Sequence, residues 1–371
     1  MSNQNKYDFL IVGAGLYGCV FAHEATKAGK RCLVIDKRNH LGGNVYCSEV
    51  EGINVHEYGP HIFHTNDKAI WDYVNSFVPF NRFTNSPLVN YKGDIYNLPF
   101  NMNTFKQLWD VCTPNEAKLK IRSQVLDLDR KPENLEEYAL SVVGKDIYTK
   151  FIQGYTKKQW GRSCKDLPVS IIKRIPLRFT YDNNYYNDTY QGIPIGGYNQ
   201  LIDGLLDGIE TRLSTDYFAV KSMSEYSATS TVFTGKIDQF FNYQFGKLDY
   251  RSVSFRHEVL ETENFQGNAI VNYTDESIPY TRIIEHKHFE FGSQSKTIIS
   301  KEYPKESDSN DEPHYPINDA INSARFSQYK KLAQNEHNII FGGRLAEYKY
   351  YDMHQIIASS LKAAKDFITK E

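Results

Sequence analysis

Hydrophobic positions are arranged in three different ways along this chain. At the N-terminus the apolar run in YDFLIVGAG ends in glycines, the pattern of a buried parallel strand. LYGCVFAHEATKAG follows with helical spacing and stops at Gly29, and KRCLVIDKR is a second short apolar run. Together they predict a strand–helix–strand unit. From about Asn103 to Gly161 the spacing turns helical, in TFKQLWDVCTPNEAKLKIRSQVLDL and NLEEYALSVVGKDIYTKFIQGYTKKQW. IGGYNQLIDGLLDGI predicts one more helix. Between Arg212 and Tyr303 the pattern favours strands: STVFTG, RSVSFRHEVL, NAIVNYTD, YTRIIEHKHFEF and KTIISKEY. PKESDSNDEPH reads as an exposed polar loop, and HNIIFGGRLAEYKYYDMHQIIASSLKAAKDFI as strand, glycine turn and helix. Pro168 and Pro176 bracket Val169–Ile175, which is expected to be a mobile connection. The order fits a nucleotide-binding α/β core interrupted by a helical and a β-rich insertion.

Composition narrows the functional classes. The 371 residues suffice for a large core. Basic and acidic residues number 43 and 45, for a net charge of −2, which argues against a nucleic-acid or membrane-surface binder. The five cysteines, Cys19, Cys32, Cys47, Cys112 and Cys164, are scattered and show no C-x-x-C pair. They read as reduced thiols, without a zinc site. The first residues show neither a signal-peptide pattern nor a membrane span, so a cytoplasmic location is expected. The 27 tyrosines add stacking faces and hydroxyls, suited to a binding cleft.

Candidate chemistry starts at GAGLYG, where Gly13, Gly15 and Gly18 have G-x-G-x-x-G spacing between a strand and a helix. Such glycines allow a tight turn, close approach of a pyrophosphate, and close helix–strand packing. Asp36 ends the second strand, where a carboxylate binds ribose hydroxyls. Gly42, Gly43 and Asn44 follow directly, an arrangement similar to flavoproteins of the glutathione-reductase and amine-oxidase type, and this favours FAD. A second glycine fingerprint does not occur, so no separate NAD(P)H domain is expected. His56, His61 and His64 lie around Gly59-Pro60 with spacings unlike a helical zinc pair, and no metal is expected. Tyr155, Thr156 and Trp160 in GYTKKQWGR suit a stacking wall. Arg174, Arg178, Arg282 and Arg344 lie beside tyrosines and glycines, in a setting suited to a diphosphate.

YGPHIFHT, FIQGYTKKQWGR, IIKRIPLRFTYDNNYYNDTYQGIPIGGY, FQGNAIVNYTD, PYTRIIEHKHF, KEYP and GGRLAEYKYYDM occur in order over essentially the whole chain. Together they resemble the bacterial UDP-galactopyranose mutases. The resemblance implies an α/β fold: an FAD-binding Rossmann-like core (1–80, 195–245, 316–371), a helical domain (100–170) and an antiparallel β-sheet domain (81–99, 171–194, 246–315). It implies interconversion of UDP-galactopyranose and UDP-galactofuranose without net redox change. The reduced FAD attacks the anomeric carbon through N5, with UDP as the leaving group. It also implies a homodimer. The alternative is an FAD-dependent oxidoreductase of the amine-oxidase type.

The resemblance also implies roles for particular residues. Gly13, Gly15, Gly18, Asp36, Gly42, Gly43, Asn44, His61, Phe218, Arg344, Asp352 and Met353 match cofactor positions. Asn81, Phe151, Tyr155, Thr156, Trp160, Tyr185, Asn272, Tyr315 and Tyr350 match substrate positions. Arg174, Arg282 and His61 match the catalytic set, with Arg174 on a mobile loop over the diphosphate. The chain departs from the family pattern at His314, where an aromatic pair is usual, and at Lys236, often proline.

Overall fold

A computed structural model describes residues 6–172, 177–306 and 312–368. Its first layer is a five-stranded sheet in the order Ile339–Phe341, Ala228–Phe233, Tyr7–Val12, Cys32–Ile35, Glu210–Arg212. Every pairing is parallel. Cys32–Ile35 is buried at all four positions, which is why its apolar run does not alternate. The sheet's order of connection reverses between Tyr7–Val12 and Ala228–Phe233. In open α/β sheets that switch point is where ligands bind, beyond the carboxyl ends of the strands. The helix Leu16–Lys27 covers one face and packs on the C-terminal helix Met353–Ile368, where Ser360 Oγ donates to Tyr17 O at 2.7 Å.

A second sheet has seven strands in the order Tyr315–Pro316, Tyr250–Leu260, Thr297–Glu306, Arg282–Glu285, Ile270–Tyr273, Leu88–Tyr91, Asp94–Asn97. It is antiparallel except where Ile270–Tyr273 runs parallel to Leu88–Tyr91. YTRIIEHKHFEF gives a strand only over Arg282–Glu285; a 3₁₀ turn follows at His286–Glu290.

The helical insertion comprises Met102–Trp109, Pro114–Arg122, Leu135–Ile147 and Gly154–Trp160. Local chemistry starts each of the first two. Asn101 and Thr104 form a capping box, as do Thr113 and Glu116, with Pro114 at the first helical position. Between Ile147 and Gly154 the backbone makes a π-helical turn, Tyr148–Gln153. Such turns are rare and are frequent at functional sites. Insertion and sheet share one core, in which Phe151 and Ile147 pack with Val89, Tyr96 and Phe100. Among the described residues, no helix is long and apolar enough to cross a membrane.

Candidate functional site

At the switch point the first strand ends in a turn that only glycine fits. Gly13 has φ +109°, and a Cβ there would sit 2.0 Å from Thr234 Oγ1. At Gly18 a Cβ would lie 2.0 Å from Gly13 O, so the helix can start this close to the strand only without a side chain. The Asp36 carboxylate braces the turn, accepting Ala14 N–H and Arg38 N–H, each at 2.8 Å. Gly42 N–H donates to Ala14 O at 2.8 Å, and a Cβ on Gly43 would be 3.0 Å from Gly15 Cα. The second glycine pair therefore packs directly on the first.

These segments line a cleft of about 380 Å³. Its lining includes Gly13, Gly15, Gly18, Asp36, Gly42, Gly43, Asn44, His61, Phe218, Arg344 and Met353. Asp352 does not line it; its carbonyl accepts the first amides of the C-terminal helix. The cleft also holds residues that sequence reasoning passed over. Arg38 Nη2 donates to Asn44 Oδ1 (3.0 Å) and pairs with Glu312 (2.9 Å), while Lys37 pairs with the other Glu312 oxygen at 2.9 Å. No spacing in the sequence links Glu312 to the strand ending at Asp36.

The residues present fit a dinucleotide such as FAD. Backbone amides of the glycine turn sit at a helix N-terminus, which favours phosphate. Arg344 Nε lies buried with no hydrogen-bond partner among the described residues, an unmet donor on the cleft wall. Arg344 is oriented by its Nη2–H bond to His314 O (2.9 Å) and by the Tyr350 ring beneath it (5.0 Å). His61 donates through Nδ1 to Gly59 O at 2.7 Å, and burial pushes its pKa down to about 4. At neutral pH the ring is thus uncharged, with Nε2 as its open acceptor.

A second cavity, about 210 Å³, lies between the helical insertion and the seven-stranded sheet. Phe151 and Tyr155 enter it from the π turn and the helix behind it, Asn272 and Arg282 from neighbouring strands, and Tyr185 from the segment that begins at Leu177. The helix approaches strand Ile270–Tyr273 so closely that a Cβ on Gly154 would be 2.2 Å from Thr274 O. Asn272 Nδ2 donates to Leu88 O at 3.2 Å, which fixes its amide.

Arg282 is the electrostatic centre. Its Nε donates to Glu302 Oε2 at 2.7 Å, on directly opposed strand positions. Glu302 is 1% exposed, and its other oxygen accepts Thr281 Oγ1–H at 2.9 Å. Burial opposes the guanidinium charge, but Glu302 and the phenols of Tyr155 and Tyr315 outweigh it and hold the pKa well above the ordinary value. Tyr155, Tyr185, Tyr315 and Tyr350 all have raised pKa values, with burial the leading cause; that of Tyr155 is about 12. Tyr315 and Tyr350 stack at 5.8 Å. Four phenols that stay protonated thus gather around one permanent cation. Glu302, which positions that cation, went unnoticed in the sequence although KEYP contains it.

Several expected residues stand apart from the two cavities. Asn81 is consumed by structure: it donates to Phe289 O and accepts Phe83 N–H and Ile193 N–H. Thr156 is buried, and Trp160 packs against the helical core. Arg174 lies outside the described residues. Arg178, to which the resemblance gives no site role, forms hydrogen bonds with Asn184 O, Tyr185 O and Asn187 Oδ1, which shape the segment presenting Tyr185. His64, Asp352 and His354 bring potential ligand atoms within 4.8 Å of one another, but His64 Nδ1 is already bonded to Asp188.

A family model for UDP-galactopyranose mutase matches residues 150–350, and one for an NAD(P)-binding Rossmann-like domain matches residues 11–77. The chain is 38% identical to a probable UDP-galactopyranose mutase of Klebsiella pneumoniae, over 98% of this chain and 96% of that one. It is also 38% identical to a dTDP-fucopyranose mutase of Escherichia coli, over 97% and 98%. A UDP-galactopyranose mutase of Mycoplasma pneumoniae is 30% identical, over 99% and 97%. In structure, the chain is similar to a crystal structure of reduced UDP-galactopyranose mutase, with a TM-score of 0.76 at 14% identity over 99% of this chain and 95% of the other.

Proposed function

Because the chain belongs to the UDP-galactopyranose mutase family, a family of flavoprotein isomerases, we propose that it interconverts the pyranose and furanose forms of UDP-galactose with reduced FAD in the larger cleft. Gly13, Gly15, Asp36, Gly43 and Arg344 would hold the cofactor. When bound and reduced, it supplies a nucleophilic flavin nitrogen for the anomeric carbon. The protein then needs no nucleophile of its own.

The observation that carries the reading is the Arg282 cluster at the smaller cavity, which Arg282, Tyr155 and Tyr185 line, with Tyr315 and Tyr350 outside its lining. Glu302 fixes Arg282 by its Nε, which leaves the outer guanidinium nitrogens for a diphosphate. Tyr155, Tyr185, Tyr315 and Tyr350 keep their protons and so donate hydrogen bonds without adding negative charge. As the bond to the sugar breaks, charge grows on the diphosphate, and preorganised donors stabilise it. Phe151 and Asn272 serve the nucleoside base, the ring by stacking and the amide by hydrogen bonding. His61 Nε2, uncharged at neutral pH, accepts a hydrogen bond on the cofactor side. The role of Arg174 over the diphosphate rests on the sequence resemblance.

The test is a product assay. Dithionite-reduced protein incubated with UDP-galactopyranose should yield the furanose, and oxidised protein should not. Stoichiometric consumption of oxygen or NAD(P)H with substrate would favour the oxidoreductase alternative instead. A second donor, a dTDP-linked 6-deoxygalactose, is favoured by the 38% identity to the Escherichia coli enzyme. Both donors belong in one assay, and the ratio of their kcat/KM values decides.

A further inference from the structure

The smaller cavity has two walls from distant parts of the chain. Phe151 and Tyr155 belong to the insertion, whereas Asn272 and Thr274 belong to the strand Ile270–Tyr273 and its continuation. Something must set the gap between them. Three features join the walls, and they differ in strength. Lys157 pairs with Glu276 at 2.8 Å, but both side chains are about half exposed, and such pairs contribute little. Thr274 Oγ1 donates to Lys150 O at 2.6 Å. The third is Lys158, whose stem is half-buried.

Lys158 Nζ reaches four backbone carbonyls of one turn: Tyr273 O at 2.7 Å, Asp275 O at 2.9 Å, Ile278 O at 3.0 Å and Tyr280 O at 2.9 Å. An ammonium has three protons, so this crown over-supplies acceptors and favours the charged form. Burial works the other way and pushes the pKa down to about 8, against the pull of Asp275 and Glu276. The turn itself is closed by Tyr273 N–H bonding to Thr281 O at 2.8 Å and by the Tyr273 and Tyr280 rings in edge contact at 4.9 Å. Lys158 does not line the cavity. Yet it is one helical turn after Tyr155, and the first carbonyl it holds is the neighbour of Asn272.

We propose that Lys158 is a positioning residue for the nucleoside end of the substrate: its ammonium ties the Tyr273–Tyr280 turn to the helix Gly154–Trp160 and so holds Asn272 at the right distance from Phe151 and Tyr155. The proposal rests on the cavity being the nucleoside site. It predicts a defect in substrate binding with the flavin cleft intact, because the crown touches no residue of the glycine turn.

The experiment measures UDP binding by titration calorimetry on the FAD-bound protein. Wild-type protein should bind UDP; if it does not, the nucleoside-site reading itself fails, independently of Lys158. Given wild-type binding, K158M should raise the UDP dissociation constant at least tenfold, with flavin content unchanged and KM raised more than kcat is lowered. K158R, which retains charge and donors, should recover binding to within about threefold of wild type. K157M, which removes only the exposed pair between the same segments, should bind like wild type. Wild-type affinity in K158M, or equal losses in K158M and K157M, would overturn the proposal. Should K158M not fold, amide hydrogen exchange of Tyr273–Thr281 in K158Q, which loses the charge but keeps a polar end, replaces it. Faster exchange with weaker UDP binding supports the brace. Faster exchange with wild-type binding, or unchanged exchange, overturns it.

Discussion

Three neighbouring histidines, of which His56 and His286 are buried and His61 lines the cofactor cleft, should make this protein acid-sensitive. His56 N–H donates to His286 Nδ1, and His61 N–H donates to His56 Nδ1, each at 3.2 Å. Both acceptor nitrogens must be unprotonated. Burial pushes His286 down to about 3 and His61 to about 4; His56 is also well below its ordinary value, from burial and then its two histidine neighbours. A histidine whose folded pKa lies below its unfolded value of about 6.5 binds its proton more readily when unfolded. Stability is therefore complete at neutral pH and is lost as pH falls through 6.5 toward the folded pKa. At pH 5, with RT near 0.59 kcal/mol, His61 and His286 each account for about 2 kcal/mol, or about 4 kcal/mol together. That is a large share of the roughly 5–15 kcal/mol by which most domains are stable. Urea unfolding of flavin-stripped protein at pH 7.5 and pH 5 measures it. His286→Asn should shrink the difference between the two pH values by about 2 kcal/mol. Equal midpoints at the two pH values, or an unchanged difference in the variant, would refute the reasoning.

Other perturbations separate cofactor binding, charge and hydrogen bonding. Gly15→Ala puts a methyl group where no atom of the described residues lies within 4 Å, at a position lining the cleft. It should fold as well as wild type and purify with little flavin, judged by absorbance near 450 nm, whereas Gly18→Ala should itself lower the melting temperature. Glu302→Gln leaves Arg282 without its buried counter-charge and should cost about 3 kcal/mol in urea unfolding, the low end for breaking a buried pair because Arg282 keeps some exposure. Tyr350→Phe removes one donor to a charged group and should lower kcat/KM roughly 10- to 100-fold with flavin content unchanged. Arg174→Ala should lower kcat/KM by at least as much, again with flavin retained; wild-type rates would remove Arg174 from the site.

The cofactor half of the site was legible in the sequence because its chemistry is local. Gly13, Gly15, Gly18 and Asp36 act within one strand–helix–strand unit, so their spacing reports their geometry. The smaller cavity is different. Phe151, Asn272 and Arg282 meet only through the packing of the insertion on the seven-stranded sheet, and family resemblance, not spacing, pointed to them. Glu302 faces Arg282 by strand register, which a single sequence does not reveal. Asn81 shows the converse: the resemblance points to its amide, which bonds three backbone groups of its own fold. Among the elements, the helix Ala320–Ala333 escaped the periodicity reading because its apolar residues lie on no one face, with only Asn322 and Tyr329 buried.

The π-helical turn Tyr148–Gln153 has a consequence for how this pocket could have arisen. A π turn is an α-helix carrying one surplus residue. Each residue of an α-helix advances by about 100° around the axis. Removing any one residue between Tyr148 and Gln153 would let the segment relax to α geometry and swing Gly154 through Trp160 by that angle. Gly154 would no longer face the Thr274 carbonyl, Tyr155 would turn away from Arg282, and a bulkier side chain would meet the strand. The composition of this cavity wall thus depends on the length of the chain between Tyr148 and Gln153 as well as on its residues.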